Sequence, residues 1–302
     1  MKETFPARIE TKGLISRDLK LMCVPTPKAG CTSIKWAMAT AQGTLSPQLL
    51  SAQGETQQLI HGYARHGLPN FASLGAKERS TILHDPSWIR FCVIRDPYSR
   101  LLSGWINRVL LEANEGPGAD RAFAHESWDQ SVLTDLGQGF RDFVRRLIGP
   151  AAPAITDQHF RSQMSLLRPD VFPYTDIVKI NELDEFVARV AASSIDRSRF
   201  DPQPMNRSLR IDPQSVFDSE TASLVDAYFA EDFEQFGYPR IEFAQTASPV
   251  PLSTREMELI SIVRAKSNRI RDIWRISASD SSLRRRVSRK ARAIRRRLRT
   301  LR

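Results

Sequence analysis

The stretch Leu19–Trp36, LKLMCVPTPKAGCTSIKW, constrains the fold more than any other part of the chain. Its opening apolar run, Leu19–Pro25, reads as a buried strand closed by prolines. Gly30 then permits a tight turn, and Thr32–Gln42 has helix-forming composition with Ile34, Trp36 and Met38 among its apolar residues. Strand, loop and helix in that order aim backbone N–H groups and a helix dipole at an anion. Lys28 brings positive charge to the same place, and Thr32 and Ser33 bring hydroxyls. A Walker-type loop, GxxxxGK[ST], has its lysine after the last glycine. Here Lys28 precedes Gly30. The plainer reading is a glycine turn followed by a helix with a threonine cap.

The rest of the chain repeats the theme. Ile89–Ile94 (IRFCVI) and Ile177–Ile180 (IVKI) read as further buried strands. Helices are expected over 98–111, over 140–148 with Gly149-Pro150 as a stop, and over 219–236 ending at Gly237. Strands alternating with helices predict an α/β protein with a parallel sheet. Residues 1–245 are expected to form that domain, with 246–302 as a linker and a basic amphipathic tail. Cys23 and Cys92 sit in strand-like runs and read as buried hydrophobes. Three cysteines build no disulfide framework, and CxxC and HExxH patterns are lacking, so no metal site is expected.

A second anion-suited segment follows the IRFCVI strand. In Arg95-Asp-Pro-Tyr-Ser-Arg-Leu-Leu-Ser103, a guanidinium stands at the strand end and a hydroxyl two helical turns on, a pair suited to a phosphate. Asp96-Pro97 has the form of a helix cap with proline in the first turn, and Arg100 has the i, i+4 spacing to pair with Asp96. PKAGCTS followed by RDPYSRLLS resembles the paired signatures of sulfotransferases that use 3′-phosphoadenosine 5′-phosphosulfate (PAPS). It is most similar to the carbohydrate branch, with the HNK-1, chondroitin and heparan 2-O enzymes. Asp157-Gln-His-Phe-Arg-Ser-Gln163, Ile180-Asn-Glu-Leu183 and Tyr228…Asp232-Phe233…Phe236-Gly-Tyr238 resemble later blocks of the same branch.

The resemblance implies a three-layer, P-loop-like α/β fold and transfer of a sulfuryl group from PAPS to a hydroxyl of a carbohydrate or glycoconjugate. It implies that Lys28, Ala29, Gly30, Cys31, Thr32 and Ser33 face the 5′-phosphosulfate and that Arg95 and Ser103 face the 3′-phosphate. Arg207, in Asn206-Arg207-Ser208, is a candidate for a loop that closes over nucleotide or acceptor. Lys28 is the candidate for stabilising the leaving charge. A base must take the acceptor's proton. His61 resembles a histidine of the heparan 2-O branch, His159 lies in the DQHF block, and a carboxylate such as Glu55 is a further option. His66, His84 and His125 read as structural or surface residues, and Trp36 and Trp105 as core. An ATP-dependent phosphotransferase is the enzymatic rival.

The net charge of +10 is unevenly placed. Residues 264–302 hold sixteen Lys and Arg against Asp272 and Asp280, so the remainder is mildly acidic. Leu283, Val287, Ala291, Ile294, Leu298 and Leu301 recur at helical spacing, which predicts a basic amphipathic C-terminal helix. Such a segment suits an anionic membrane surface or another polyanion, and no specific nucleic acid is expected. A non-catalytic nucleic-acid-binding protein acting through this tail is the rival of a different class. Without a secretory signal or a long apolar run, a cytoplasmic protein is expected, peripheral on the inner membrane surface if the tail binds there.

Overall fold

The computed structural model describes residues 5–47, 60–61, 66–111, 135–152, 154–155, 157–192, 195–203, 209, 211–266 and 269. In chain order it contains α1 (Ala7–Lys12), β1 (Leu14–Ser16), β2 (Leu21–Cys23), α2 (Cys31–Ala41), α3 (Ala76–His84), β3 (Ile89–Ile94) and α4 (Pro97–Trp105). There follow α5 (Leu136–Ile148), α6 (Gln163–Leu167), β4 (Asp176–Lys179), α7 (Leu183–Ala191), α8 (Pro213–Val216), α9 (Ser219–Tyr228) and α10 (Ala230–Phe236). Residues 254–266 are helical.

The four strands form one sheet in the order β1-β2-β3-β4, with β1 antiparallel and the other pairs parallel. Strand residues alternate between two packed faces, as period-two geometry requires. Leu21, Cys23, Phe91 and Val93 point to one cluster with Ile34 and Trp36 of α2 and Phe186 of α7. Met22, Val24, Cys92 and Ile94 point to the other, with Ile9 of α1 and Ile82 of α3. Helices therefore cover both faces, and Phe91–Ile94 of the IRFCVI run are all apolar because they are buried on both sides, whereas Ile89 and Arg90 at its start are half-buried. Cys23 and Cys92 are buried, as their strand context predicts.

A third cluster contains no strand residue and is built mainly from helices and the turns that flank them. Tyr98, Trp105 and Ile106 meet Phe140, Val144, Phe217, Val225, Phe233 and Ile260 there. Trp36 and Trp105 both belong to the core. The segment after 245 packs on this cluster through Val250, Leu252 and Ile260. Past Trp105 the helix widens into a π-helix, Ile106–Leu111, whose end carbonyls at Val109 and Leu110 accept from Arg264 Nη1 at 3.3 and 2.9 Å.

The structure departs from expectation at three places. Strand β1 adds to the sheet without a sequence signal of its own. The expected 219–236 helix is broken at Phe229, where ψ is 23°, into α9 and α10. Arg100 does not serve Asp96. It is buried and donates to carbonyls of Pro27 (3.2 Å), Arg161 (2.8 Å) and Gln158 (3.3 Å). Arg207, His125, Glu55 and most of the basic tail, with its apolar stripe, lie outside the described residues.

Candidate functional site

Parallel β2 and β3 end side by side, where Val24 N donates to Phe91 O at 3.0 Å. The C-terminal edge of a parallel sheet is where open α/β folds place ligands. The chain leaving β2 turns through Thr26–Ala29, with Ala29 N donating to Thr26 O at 3.3 Å, and enters α2 at Cys31. Two residues of this turn have left-handed backbone, Gly30 at φ 71° and Lys28 at φ 67°. For glycine this conformation is free; for lysine it costs on the order of 1 kcal/mol or more, and such strain collects at ligand-binding turns. Gly30 is the N-cap of α2 and offers no side-chain acceptor. The threonine-cap reading therefore fails. Thr32 lies inside the first turn, and its hydroxyl is used elsewhere.

The second segment is tied to the first. Arg95 Nη1 donates to Lys28 O at 3.3 Å, so the guanidinium at the end of β3 lies against the lysine turn. The Arg95 backbone is held by Gln163, which donates from Nε2 to Arg95 O at 2.8 Å and accepts from Arg95 N at 2.9 Å. Gln163 is buried, and its own N–H reaches Asp232 Oδ2 at 2.8 Å. Asp96 caps α4 by accepting from Ser99 N at 2.8 Å, with Pro97 in the first turn as its sequence predicts. Ser103 is half-buried on α4. Arg100 braces the turn from behind through Pro27 O. Burial pushes its pKa down to about 10, so it stays charged at neutral pH. Arg8 of α1 adds Nη2 to Pro25 O at 2.7 Å.

Two histidines reach the same place. His61 Nε2 lies 3.1 Å from Thr32 Oγ1, and its Nδ1 lies 3.0 Å from Lys35 Nζ. Desolvation, then the charge of Lys35, pushes the His61 pKa down to about 3, with His159 and Lys28 contributing. His61 as a whole residue is exposed, so the ammonium at contact distance carries the direction of that shift. His159 Nδ1 lies 2.6 Å from Asp157 Oδ1, which also accepts the His159 backbone N–H at 2.9 Å. Asp157 is buried and faces Arg108 Nη2 at 3.5 Å. Burial lowers the His159 pKa, outweighing the Asp157 bond that raises it, and Arg108 and Lys28 lower it further. Burial would raise the Asp157 carboxyl, yet the His159 donors and Arg108 outweigh it and hold it below its ordinary value. Both rings are neutral near pH 7, because each lies below an already sub-neutral reference.

The structure thus brings together Lys28, Ala29, Gly30, Cys31, Thr32, Ser33, Arg95, His61 and His159. His66 is buried and accepts Leu68 N–H at 3.1 Å, a structural role. Among the described residues, no three His, Cys, Asp or Glu side chains converge into a metal-binding group.

The sulfotransferase family matches residues 12–239, which include the sheet and both anion-suited segments. The chain belongs to the sulfotransferase family. It is 27% identical over 136 residues to carbohydrate sulfotransferase 10 of Danio rerio, covering 42% of this chain and 35% of that protein. The namesake of Xenopus laevis is 28% identical over 144 residues, covering 45% and 38%, and that of Homo sapiens 25% over 138, covering 43% and 36%. The aligned region is little more than a third of the length of these curated relatives. No solved structure gives a significant match.

Sequence reasoning assigned no role to Lys35, Arg108, Asp157 or Gln163. Lys35 had a signal, since it stands three residues after Thr32 and so shares its helix face. Asp157 and Gln163 lie in the quoted DQHFRSQ block but carry no local sign of their partners. Arg108 meets Asp157 only through the tertiary fold.

Proposed function

We propose that this chain is a PAPS-dependent sulfotransferase acting on a hydroxyl of a carbohydrate or glycoconjugate. The observation that carries the reading is the contact between Lys28 O and Arg95 Nη1, which joins a strained lysine turn at a helix start to a guanidinium on the adjacent strand. One cationic cradle then has two ends, suited to a nucleotide with phosphate at both its 5′ and 3′ positions. Family membership and the carbohydrate sulfotransferase relatives support sulfuryl transfer and a sugar acceptor.

In this reading Lys28 and the start of α2 place positive charge where the leaving 5′-phosphate gains negative charge. Thr32 and Ser33 supply hydroxyl donors, and Arg95 with Ser103 takes the 3′-phosphate. The sulfur–oxygen bond to the 5′-phosphate breaks as a bond to the acceptor oxygen forms. The acceptor's proton passes to a neutral base, for which, among the described residues, the two histidines near Lys28 are the groups at hand. The basic tail is proposed to hold the enzyme at an anionic surface. Co-sedimentation with anionic liposomes that survives deletion of residues 280–302 overturns that part.

Calorimetric titration with 3′-phosphoadenosine 5′-phosphate (PAP), the desulfated product, tests the donor site. PAP is expected to bind the wild-type protein tightly and Lys28→Ala at least about tenfold more weakly, one charge-assisted contact, with ATP weak in both. Folded protein that ignores PAP rules the reading out.

A further inference from the structure

The two histidines are held by partners of opposite charge, and this divides their work. Lys35 is an ammonium, which donates hydrogen bonds and accepts none. At 3.0 Å from His61 Nδ1 it makes that nitrogen the acceptor, and in a neutral ring the proton then sits on Nε2. That N–H points at Thr32 Oγ1, 3.1 Å away. The oxygen of Thr32 is thereby occupied as an acceptor, and its own proton is free to be given to an anion in the loop. Neither nitrogen of His61 is left to take a proton from an acceptor sugar.

His159 is arranged the other way. The Asp157 carboxylate accepts and cannot donate, so at 2.6 Å it fixes the proton of His159 on Nδ1. Nε2 is then the bare nitrogen, with a lone pair and no protein partner among the described residues. Arg108 stands behind the carboxylate at 3.5 Å, and the turn from Asp157 to Phe160 holds the ring through the His159 N–H. Gly104 lets this turn lie against α4, since a β-carbon there would meet Phe160 Cε1 at 2.9 Å. A carboxylate behind an imidazole, with the far nitrogen bare, is the arrangement of a general base whose imidazolium form is stabilised when it arises.

Resting on the sulfotransferase reading, we propose that His159 is the general base, with Asp157 and Arg108 as its positioning residues. His61 is a donor-side positioning residue, turned by Lys35 so that it fixes the Thr32 hydroxyl. In the transfer, Nε2 of His159 takes the acceptor's proton as the acceptor oxygen bonds to sulfur, and PAP leaves with the bonding pair.

Long-range proton–nitrogen spectra of imidazole-labelled protein at pH 7.5 read both tautomers directly. The ring lost in His159→Gln is expected with its proton on Nδ1, and the ring lost in His61→Gln with its proton on Nε2. Asp157→Asn should mix the first tautomer and leave the second, and Lys35→Met the reverse. A proton on Nε2 of His159, or a bare Nε2 on His61, overturns the proposal whether or not PAP binds. Turnover is read as PAP release from PAPS with desulfated heparin and chondroitin as probes, and with water as acceptor where neither accepts. His159→Gln should lower kcat by about 10² to 10⁴ with PAP affinity kept within about twofold, while His61→Gln should raise the KM for PAPS and weaken PAP binding. Loss of kcat in His61→Gln with PAP affinity intact also overturns it. Wild-type protein that binds no PAP but shows the expected tautomers would instead remove the donor assignment and leave the ring geometry standing.

Discussion

His61 and His159 flank the same lysine, and both are neutral, yet they are built as opposites. One faces the Lys35 ammonium and the other the Asp157 carboxylate, so in the tautomers we propose the first presents a proton and the second a lone pair. The contrast extends to their supports. His61 leans on a helix that starts in the donor loop, so its geometry is local to that loop. His159 is fixed by a turn, a carboxylate, a π-helical arginine and a glycine contact drawn from separate parts of the chain. In the proposed mechanism, proximity to Lys28 therefore does not assign a histidine its role. The polarity of the group behind the ring does.

The comparison breaks most sharply under substitution of the two rings. If the base role belongs to His159 alone, the ratio of kcat in His159→Gln to kcat in His61→Gln is about 10⁻² or smaller. Equal losses in single-turnover transfer would mean that the two rings act as one unit and that the division of labour is wrong.

Next in size is the brace that both sides share. Arg100 joins the donor turn at Pro27 to the His159 segment at Gln158 and Arg161. Arg100→Met leaves three carbonyls short of a donor and is expected to cost about 3 kcal/mol, the low end of about 1–3 per stranded buried group. Urea denaturation measures this. The sharper result is that PAP affinity and kcat should fall together, because one residue positions both sides. A loss confined to either one would show that the sides are independent.

Gly104→Ala touches only the His159 side. Crowding of Phe160, itself packed on Phe143, costs about 1–3 kcal/mol, against about 1 kcal/mol gained in helix propensity, so a net loss near 1 kcal/mol is expected in the same assay. PAP binding should not change. Weaker PAP binding in this variant would place the Asp157–Phe160 turn on the donor side.

How much of this was legible in the sequence follows the same line between local and assembled features. β3 was readable because Phe91–Ile94, four consecutive apolar residues buried on both faces, write their own signal. The lysine turn was readable because strand, glycine and helix are consecutive. Asp96 capping α4 with Pro97 behind it was readable for the same reason. β1 was not, since Leu14–Ser16 is three residues long and becomes a strand only by pairing with β2 and touching Asn70. The i, i+4 rule misplaced Arg100 because the carbonyls of Pro27, Gln158 and Arg161 take its guanidinium while the Asp96 carboxylate is engaged in capping α4. His159 could be picked from its block as a candidate, but the Arg108–Asp157 contact that gives it a role joins segments far apart in the chain.

The smallest effect is the most discriminating, because it has a sign on each arm. In kcat/KM the acidic limb reports protonation of the free enzyme's base. His159 lies below the ordinary histidine value, so transfer should persist at pH 6.5 and fall only under it. Among the described residues, the charged and titratable groups facing this ring are Asp157 on its own turn, Arg108 from the π-helix, Lys28 from the turn before α2 and the neutral ring of His61. Arg108 opposes protonation, so Arg108→Gln should move the limb to higher pH. Asp157 favours protonation, so Asp157→Asn should move it to lower pH, while kcat drops because the tautomer is no longer held. A purely structural role for either residue predicts weaker activity with an unmoved limb. Shifts of the same sign in both variants would show that the limb belongs to another group, and the base would have to be sought among the remaining titratable residues facing Lys28.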